Sequence, residues 1–156
     1  MTMDPVKAKK VFETYATDKF LDKSKFKEAL GALFEVDYKD ENIDEAFEDL
    51  FKMADGKGIF NKKDSKINYS EFNNLCKLLP AKWECPKQVI LTLLFRLADT
   101  NNSGKLNKKE FASYIKKTSI DMNNDDMLVV YERLDSNGDG KITYDEFIQL
   151  YGLSDN

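Results

Sequence analysis

One octet occurs twice in the chain, Gly-Lys-Leu-x-x-x-x-Phe at Gly104 to Phe111 and Gly-Lys-Ile-x-x-x-x-Phe at Gly140 to Phe147, 36 residues apart. A repeat of that period marks a supersecondary unit copied along the chain. Each copy follows a helix-spaced apolar stretch ending in an acidic residue, Phe95-Arg96-Leu97-Ala98-Asp99 and Tyr131-Glu132-Arg133-Leu134-Asp135. Each also leads into a second such stretch, so the unit reads as helix, loop, helix. Fainter copies lie upstream, where Ile67 precedes Phe72 and Leu21 precedes Phe26 by the same five positions. Four units fill the chain, with helices expected over residues 5–15, 23–34, 41–54, 69–79, 86–98, 108–118, 124–134 and 144–151. The strongest break is Pro80-Ala81-Lys82-Trp83-Glu84-Cys85-Pro86, whose two prolines interrupt any helix running between the halves. The expected organisation is an all-α chain of two lobes, residues 1–79 and 87–156, joined by a linker over 80–86.

The chain has no histidine, which removes histidine general bases, Ser-His-Asp triads and imidazole metal sites together. Its two cysteines, Cys76 and Cys85, form neither a CxxC pair nor a disulfide framework, so a reducing, cytoplasmic setting is expected. Any metal must then be held by oxygen or by thiolate. A formal net charge of -4, spread over 24 basic and 28 acidic residues, offers no basic face for nucleic acid. The opening Met1-Thr2-Met3-Asp4-Pro5 has neither the apolar run of a secretion signal nor the second-position Gly of myristoylation. The longest apolar stretch, Val89 to Leu97, is too short to span a bilayer. A monomer is expected, and not an enzyme.

Asp135-Ser136-Asn137-Gly138-Asp139-Gly140-Lys141-Ile142-Thr143-Tyr144-Asp145-Glu146 satisfies the D-x-[DN]-x-[DN]-G-x5-E pattern at every specified place. Over these residues the chain resembles the EF-hand family, and its four units resemble calmodulin-like proteins. The resemblance implies a Ca2+ ion held by the side-chain oxygens of Asp135, Asn137 and Asp139, the Lys141 carbonyl, a water on Thr143 and both oxygens of Glu146. Gly140 supplies the positive φ of the bend. The third loop, Asp99 to Glu110, departs only by Ser103 at the fifth position. There Asp99, Asn101, Ser103, the Lys105 carbonyl and Glu110 are the implied ligands. With two carboxylates against three, the third site is expected to be the weaker. The resemblance also implies a short two-stranded β contact between paired loops, Leu106 against Ile142 in this lobe.

The upstream loops break the pattern. From Asp55 to Glu71 the second loop has 17 residues where twelve are needed, although Asp55, Asp64, Asn68 and Glu71 could still gather around an ion irregularly. In the first, Lys25 stands where the closing Glu belongs, and Phe12 lies nine positions before Leu21 where eleven are usual. The N-terminal lobe is therefore expected to be a scaffold. Helix 86–98 has apolar stripes on two faces, Leu91/Phe95/Ala98 and Ile90/Leu94/Leu97, and is expected to be buried against the N-terminal lobe. Met122 and Met127, Trp83, the charge run from Asp37 to Asp49 and Cys76 are read respectively as core or groove filling, cover for the lobe junction, a solvated helix face and a buried thiol. The resemblance implies a calcium sensor, whose C-terminal lobe bares an apolar groove (Leu94, Phe111, Ile115, Met127, Phe147) for a target protein's amphipathic helix. A calcium buffer and a calcium-independent, light-chain-like subunit remain alternatives.

Overall fold

A computed structural model describes residues 5–35, 44–55, 66–78, 86–118 and 122–151. Eight α-helices appear among them: α1 (Pro5–Tyr15), α2 (Lys23–Phe34), α3 (Asp44–Ala54), α4 (Tyr69–Cys76), α5 (Pro86–Ala98), α6 (Lys108–Thr118), α7 (Asn124–Leu134) and α8 (Tyr144–Phe147). The fold is all-α with a minimal β component, as the repeat requires. Two strands, β1 (Phe20–Leu21) and β2 (Ile67–Asn68), pair antiparallel with Leu21 opposite Ile67. An isolated antiparallel bridge joins Leu106 to Ile142. Each pair of loops is thus tied at its central apolar residue.

Two expected boundaries shift. α4 ends at Cys76, with a turn at Lys77 and Leu78, and the last helix tightens into a 3-10 turn over Ile148–Tyr151. Residues 41–43, 79 and 80–85, Trp83 and Cys85 included, lie outside the described residues, as does Asp64 of the second loop.

The chain divides into two compact units, residues 1–93 and 94–156, the division falling inside α5. Unit 1 has a core of Leu21, Phe26, Leu30, Leu33, Leu50, Ile67 and Phe72, each at most 1% exposed. Phe26 meets Phe51 edge-on, and Phe12 packs on Tyr69 and Phe72. Across its surface Lys23 pairs with Glu48 and Lys27 with Asp44, which leaves the acidic start of α3 in solvent as expected. Cys76 is buried, and that burial pushes its thiol up to about 12. In unit 2 Phe147 is fully buried and gathers Phe95, Tyr114 and Tyr151 around its ring. Both apolar stripes of α5 are covered, since Ile90, Leu94 and Leu97 as well as Leu91, Phe95 and Ala98 are at most 7% exposed.

Every helix that leaves a loop starts on the same device. Asp22, Asn68, Asn107 and Thr143 each accept, through a side-chain oxygen, the backbone N–H three residues on, satisfying a donor that the helix start leaves open. In three of the four, the residue three positions on is a glutamate that accepts the cap residue's own N–H: Glu71, Glu110 and Glu146. Lys25 holds that position in the first unit and pairs with Glu28. The capping box and the loop-closing carboxylate are one residue in each of these three units.

Candidate metal centre

In the fourth loop, Gly140 (φ 79°) and Gly138 (φ 69°) take left-handed backbone, which turns the chain sharply enough to bring both loop ends together. Asp135 Oδ2 accepts the Gly140 N–H at 2.8 Å, and Asn137 Oδ1 accepts the Asp139 N–H at 3.2 Å. Asp139 Oδ1 accepts the Lys141 N–H at 3.0 Å. Glu146 closes the loop from the far side. Its Oε1 accepts the Thr143 N–H at 3.0 Å, while its Oε2 accepts both the backbone N–H and the hydroxyl of Ser136 at 2.9 Å. The Tyr131 hydroxyl, reaching from α7, donates to the Gly140 carbonyl.

Two consequences follow for charge. Burial pushes the Glu146 carboxyl up, but the Thr143 and Ser136 donors outweigh it and hold the group below the ordinary carboxylate range. The Tyr131 phenol is raised, first by burial and then by the negative charges of Asp135 and Asp139. Glu146 is therefore held toward its charged form at the mouth of the loop. Asp135 Oδ1 is buried there without a hydrogen-bond partner, an acceptor withdrawn from water with nothing to receive. Such a group carries a desolvation cost of about 1–3 kcal/mol or more. A cation between Asp135 and Asp139 removes that cost. The donor set, all oxygen and with two aspartates, an asparagine and a glutamate, suits a hard divalent ion such as Ca2+.

The third loop has the same frame with a different filling. Gly104 (φ 85°) and Asn102 (φ 56°) stand where the fourth loop has Gly140 and Gly138, and asparagine is among the few side chains that tolerate the left-handed region. Asp99 Oδ2 accepts the Gly104 N–H at 2.8 Å, while Asp99 Oδ1 accepts the Ser103 N–H at 3.1 Å. Glu110 Oε2 reaches the Asn101 N–H at 3.1 Å and the Thr100 hydroxyl at 3.2 Å. Burial raises the Glu110 carboxyl, and the amides of Asn107 and Asn101 with the Thr100 hydroxyl bring it below the ordinary range. Ser103 distinguishes this loop. Its hydroxyl donates to the Lys105 carbonyl at 2.7 Å, covering an oxygen assigned to the ion. The residues fit Ca2+ here as well, through Asp99, Asn101, Ser103, the Lys105 carbonyl and Glu110, but this loop is already satisfied internally.

The ten sequence-derived ligand positions lie in two loops joined by Leu106 and Ile142, whose mutual N–H to carbonyl bonds are both 2.8 Å. Among the described residues, no group of three or more acidic or thiol side chains converges on a single point. Each loop instead assembles its oxygens from carboxylates, an amide or hydroxyl, and backbone. Three residues escaped the sequence reading: Thr100 and Ser136, which tether the closing glutamates, and Tyr131, which holds the Gly140 carbonyl; so did the side chain of Lys105, whose carbonyl was assigned to the third site and whose ammonium lies 3.4 Å from Asp139 Oδ2. A hydroxyl at the second place of both loops was the available signal for the first two.

The first loop has no such centre. Thr17 and Phe20 exchange both backbone hydrogen bonds, at 2.8 and 3.1 Å, around Asp18 (φ 53°) and Lys19 (φ 72°). That is a two-residue turn with both central residues left-handed, the geometry of a type I′ hairpin. In the second loop the described ends are Asp55 and Glu71, both buried, with Glu71 committed to the Asn68 capping box.

Helix-loop-helix units paired through central loop residues, two of them with oxygen-rich twelve-residue loops, resemble the EF-hand class of calcium-binding proteins. Residues 87–152 match the family model described as an EF-hand domain pair. Over those residues the chain is similar to that family. It is 30% identical over 67 residues to "probable calcium-binding protein CML17" of Oryza sativa subsp. japonica, covering 43% of this chain and 41% of that one. To a 16 kDa calcium-binding protein of Schistosoma mansoni it is 29% identical over 85 residues, 54% of this chain and 58% of the relative. It is 27% identical to human centrin-3 over 147 residues, with 91% of this chain and 79% of centrin-3 aligned. The chain thus spans about half the length of the first two relatives. No helix among the described residues is long and apolar enough to cross a membrane.

Proposed function

We propose that the chain is a calcium sensor: unit 2 takes two Ca2+ ions, one in each loop, and the response is the opening of an apolar groove for an amphipathic helix of a target protein. The observation that carries this reading is the buried, unpartnered Asp135 Oδ1 in a loop where Asp139 and Glu146 are already engaged by backbone donors. An ion entering there gains an acceptor already stripped of water. Leu94, Phe111, Ile115, Met127 and Phe147, the intended groove, are all at most 8% exposed, so an opening has a large apolar surface to reveal. Unit 1 serves as a scaffold. Its first loop is closed by its own backbone, and its second lacks the spacing for regular coordination. The chain acts by binding, in a cytoplasmic setting, as a monomer and without catalysis, nucleic acid or membrane insertion.

The test is a calcium titration, in excess magnesium, followed with an apolar-surface dye. The sensor reading expects a steep rise in dye fluorescence at micromolar calcium, saturating at two ions per chain. Two ions bound with a flat dye response would identify a buffer. A target helix held equally well in chelator would identify a constitutive, light-chain-like subunit.

A further inference from the structure

The Leu106 to Ile142 bridge pairs the eighth residues of the two loops antiparallel and so brings the loops side by side. Across them the Lys105 side chain, from the seventh place of the third loop, reaches the fifth residue of the fourth, its ammonium 3.4 Å from Asp139 Oδ2. With the loops exchanged the corresponding residues are Lys141 and Ser103, and serine offers no charge. The cross-loop ion pair is therefore one-sided. It occupies a ligand carboxylate whose other oxygen is already engaged, Oδ1 by the Lys141 N–H and Oδ2 by Lys105, and it is the one such carboxylate held by a side-chain cation among the described residues of the two loops. The backbone donor is fixed by the loop, whereas the lysine stem is flexible and half-exposed, with 45% of its side chain accessible.

We propose that the Lys105 ammonium is an internal competitor for the fourth loop, holding Asp139 in place of the ion and so lowering that loop's calcium affinity from within its neighbour. This rests on the reading that the fourth loop binds calcium. Calcium would draw on the same carboxylate charge that Lys105 neutralises, so the ion and the ammonium compete for Asp139. The contribution of Lys105 to the third site is its backbone carbonyl, which a side-chain substitution leaves intact. The residue can therefore be changed at one site without removing a ligand from the other.

The experiment is calorimetric calcium titration of the full chain in a Glu110→Gln background, so that the fourth loop is read alone, comparing Lys105→Gln with Lys116→Gln. Lys116 lies at the exposed far end of α6, so its loss makes the same change in net charge. Lys105→Gln should tighten calcium binding by about threefold at low ionic strength, the scale of one partly exposed ion pair. The gain should shrink toward nothing at about 1 M salt, where screening acts within about 3 Å. Lys116→Gln should leave affinity near that of the parent. An unchanged or weakened Kd for Lys105→Gln, or an equal gain from Lys116→Gln, would overturn the competitor role while leaving the fourth site standing. No calcium binding in the Glu110→Gln parent, with none in the wild type, would remove the underlying reading itself.

Discussion

The first and fourth loops connect helices in the same way, yet they close by opposite means. Between α1 and α2 the backbone closes on itself: Thr17 and Phe20 complete a two-residue turn, and the chain accepts left-handed φ at Asp18 and Lys19 to do so. Between α7 and α8 the chain spends twelve residues on a wider loop and leaves a buried Asp135 oxygen with nothing to bond. The third loop lies between these extremes, because the Ser103 hydroxyl covers the Lys105 carbonyl from inside. A helix-loop-helix frame is thus indifferent to metal. What decides is whether the loop's own donors satisfy its oxygens.

The comparison breaks most visibly in the core. Phe147→Ala should destabilise unit 2 by about 3–5 kcal/mol, since it removes a fully buried ring contacted by Phe95, Tyr114 and Tyr151. If only unit 2 takes calcium, millimolar Ca2+ should raise the unfolding temperature of this variant, whereas Phe72→Ala in unit 1 should gain nothing at its own transition. Calorimetric scans with and without calcium check both.

At the ligands, Glu146→Gln should cost the fourth site about 100-fold or more in affinity, because it removes the closing carboxylate charge. It should also weaken the third site through the Leu106 to Ile142 bridge. Replacing Ser103 by aspartate tests the intermediate case: it removes the hydroxyl that caps Lys105 and adds a ligand charge, and should tighten the third site by roughly tenfold. A third site unmoved by Ser103→Asp would contradict the assignment of its weakness to Ser103.

The smallest effect is expected where the backbone does the closing. Lys19→Gly should stabilise unit 1 by about 0.5–1 kcal/mol, because glycine adopts the left-handed φ of 72° without a Cβ clash. Calcium binding should not change, and chemical denaturation alongside a titration reads both. A thiol probe offers a companion check on the same unit. In a Cys85→Ser background, Cys76 should stay unmodified at pH 8 in the native protein and react on denaturation, since a thiol pushed up to about 12 is protonated there.

The loop spacing was legible because it is local: twelve residues with oxygens at fixed places state their chemistry without reference to the rest of the chain. Helix boundaries were legible for a related reason, since caps at Asp22, Asn68, Asn107 and Thr143 precede the apolar pattern. The end of α4 at Cys76 and the 3-10 turn after Phe147 were not, because nothing in either stretch is a strong stop signal. The turn at Asp18 and Lys19 was hidden by its residues, which lack the glycine that ordinarily announces left-handed backbone. The Lys105 to Asp139 contact was invisible for a different reason. It spans 34 residues and exists only once two loops are paired in register.

The measurement that tests the account most directly is calcium stoichiometry by equilibrium dialysis on three chains: the wild type, Glu71→Gln, and the double variant Glu110→Gln with Glu146→Gln. Two ions per chain in the first two, and loss of high-affinity binding in the third, is the result expected if the loops of unit 2 alone carry the ions. High-affinity binding that survives in the double variant, or that disappears with Glu71→Gln, would contradict it and move the metal chemistry to unit 1.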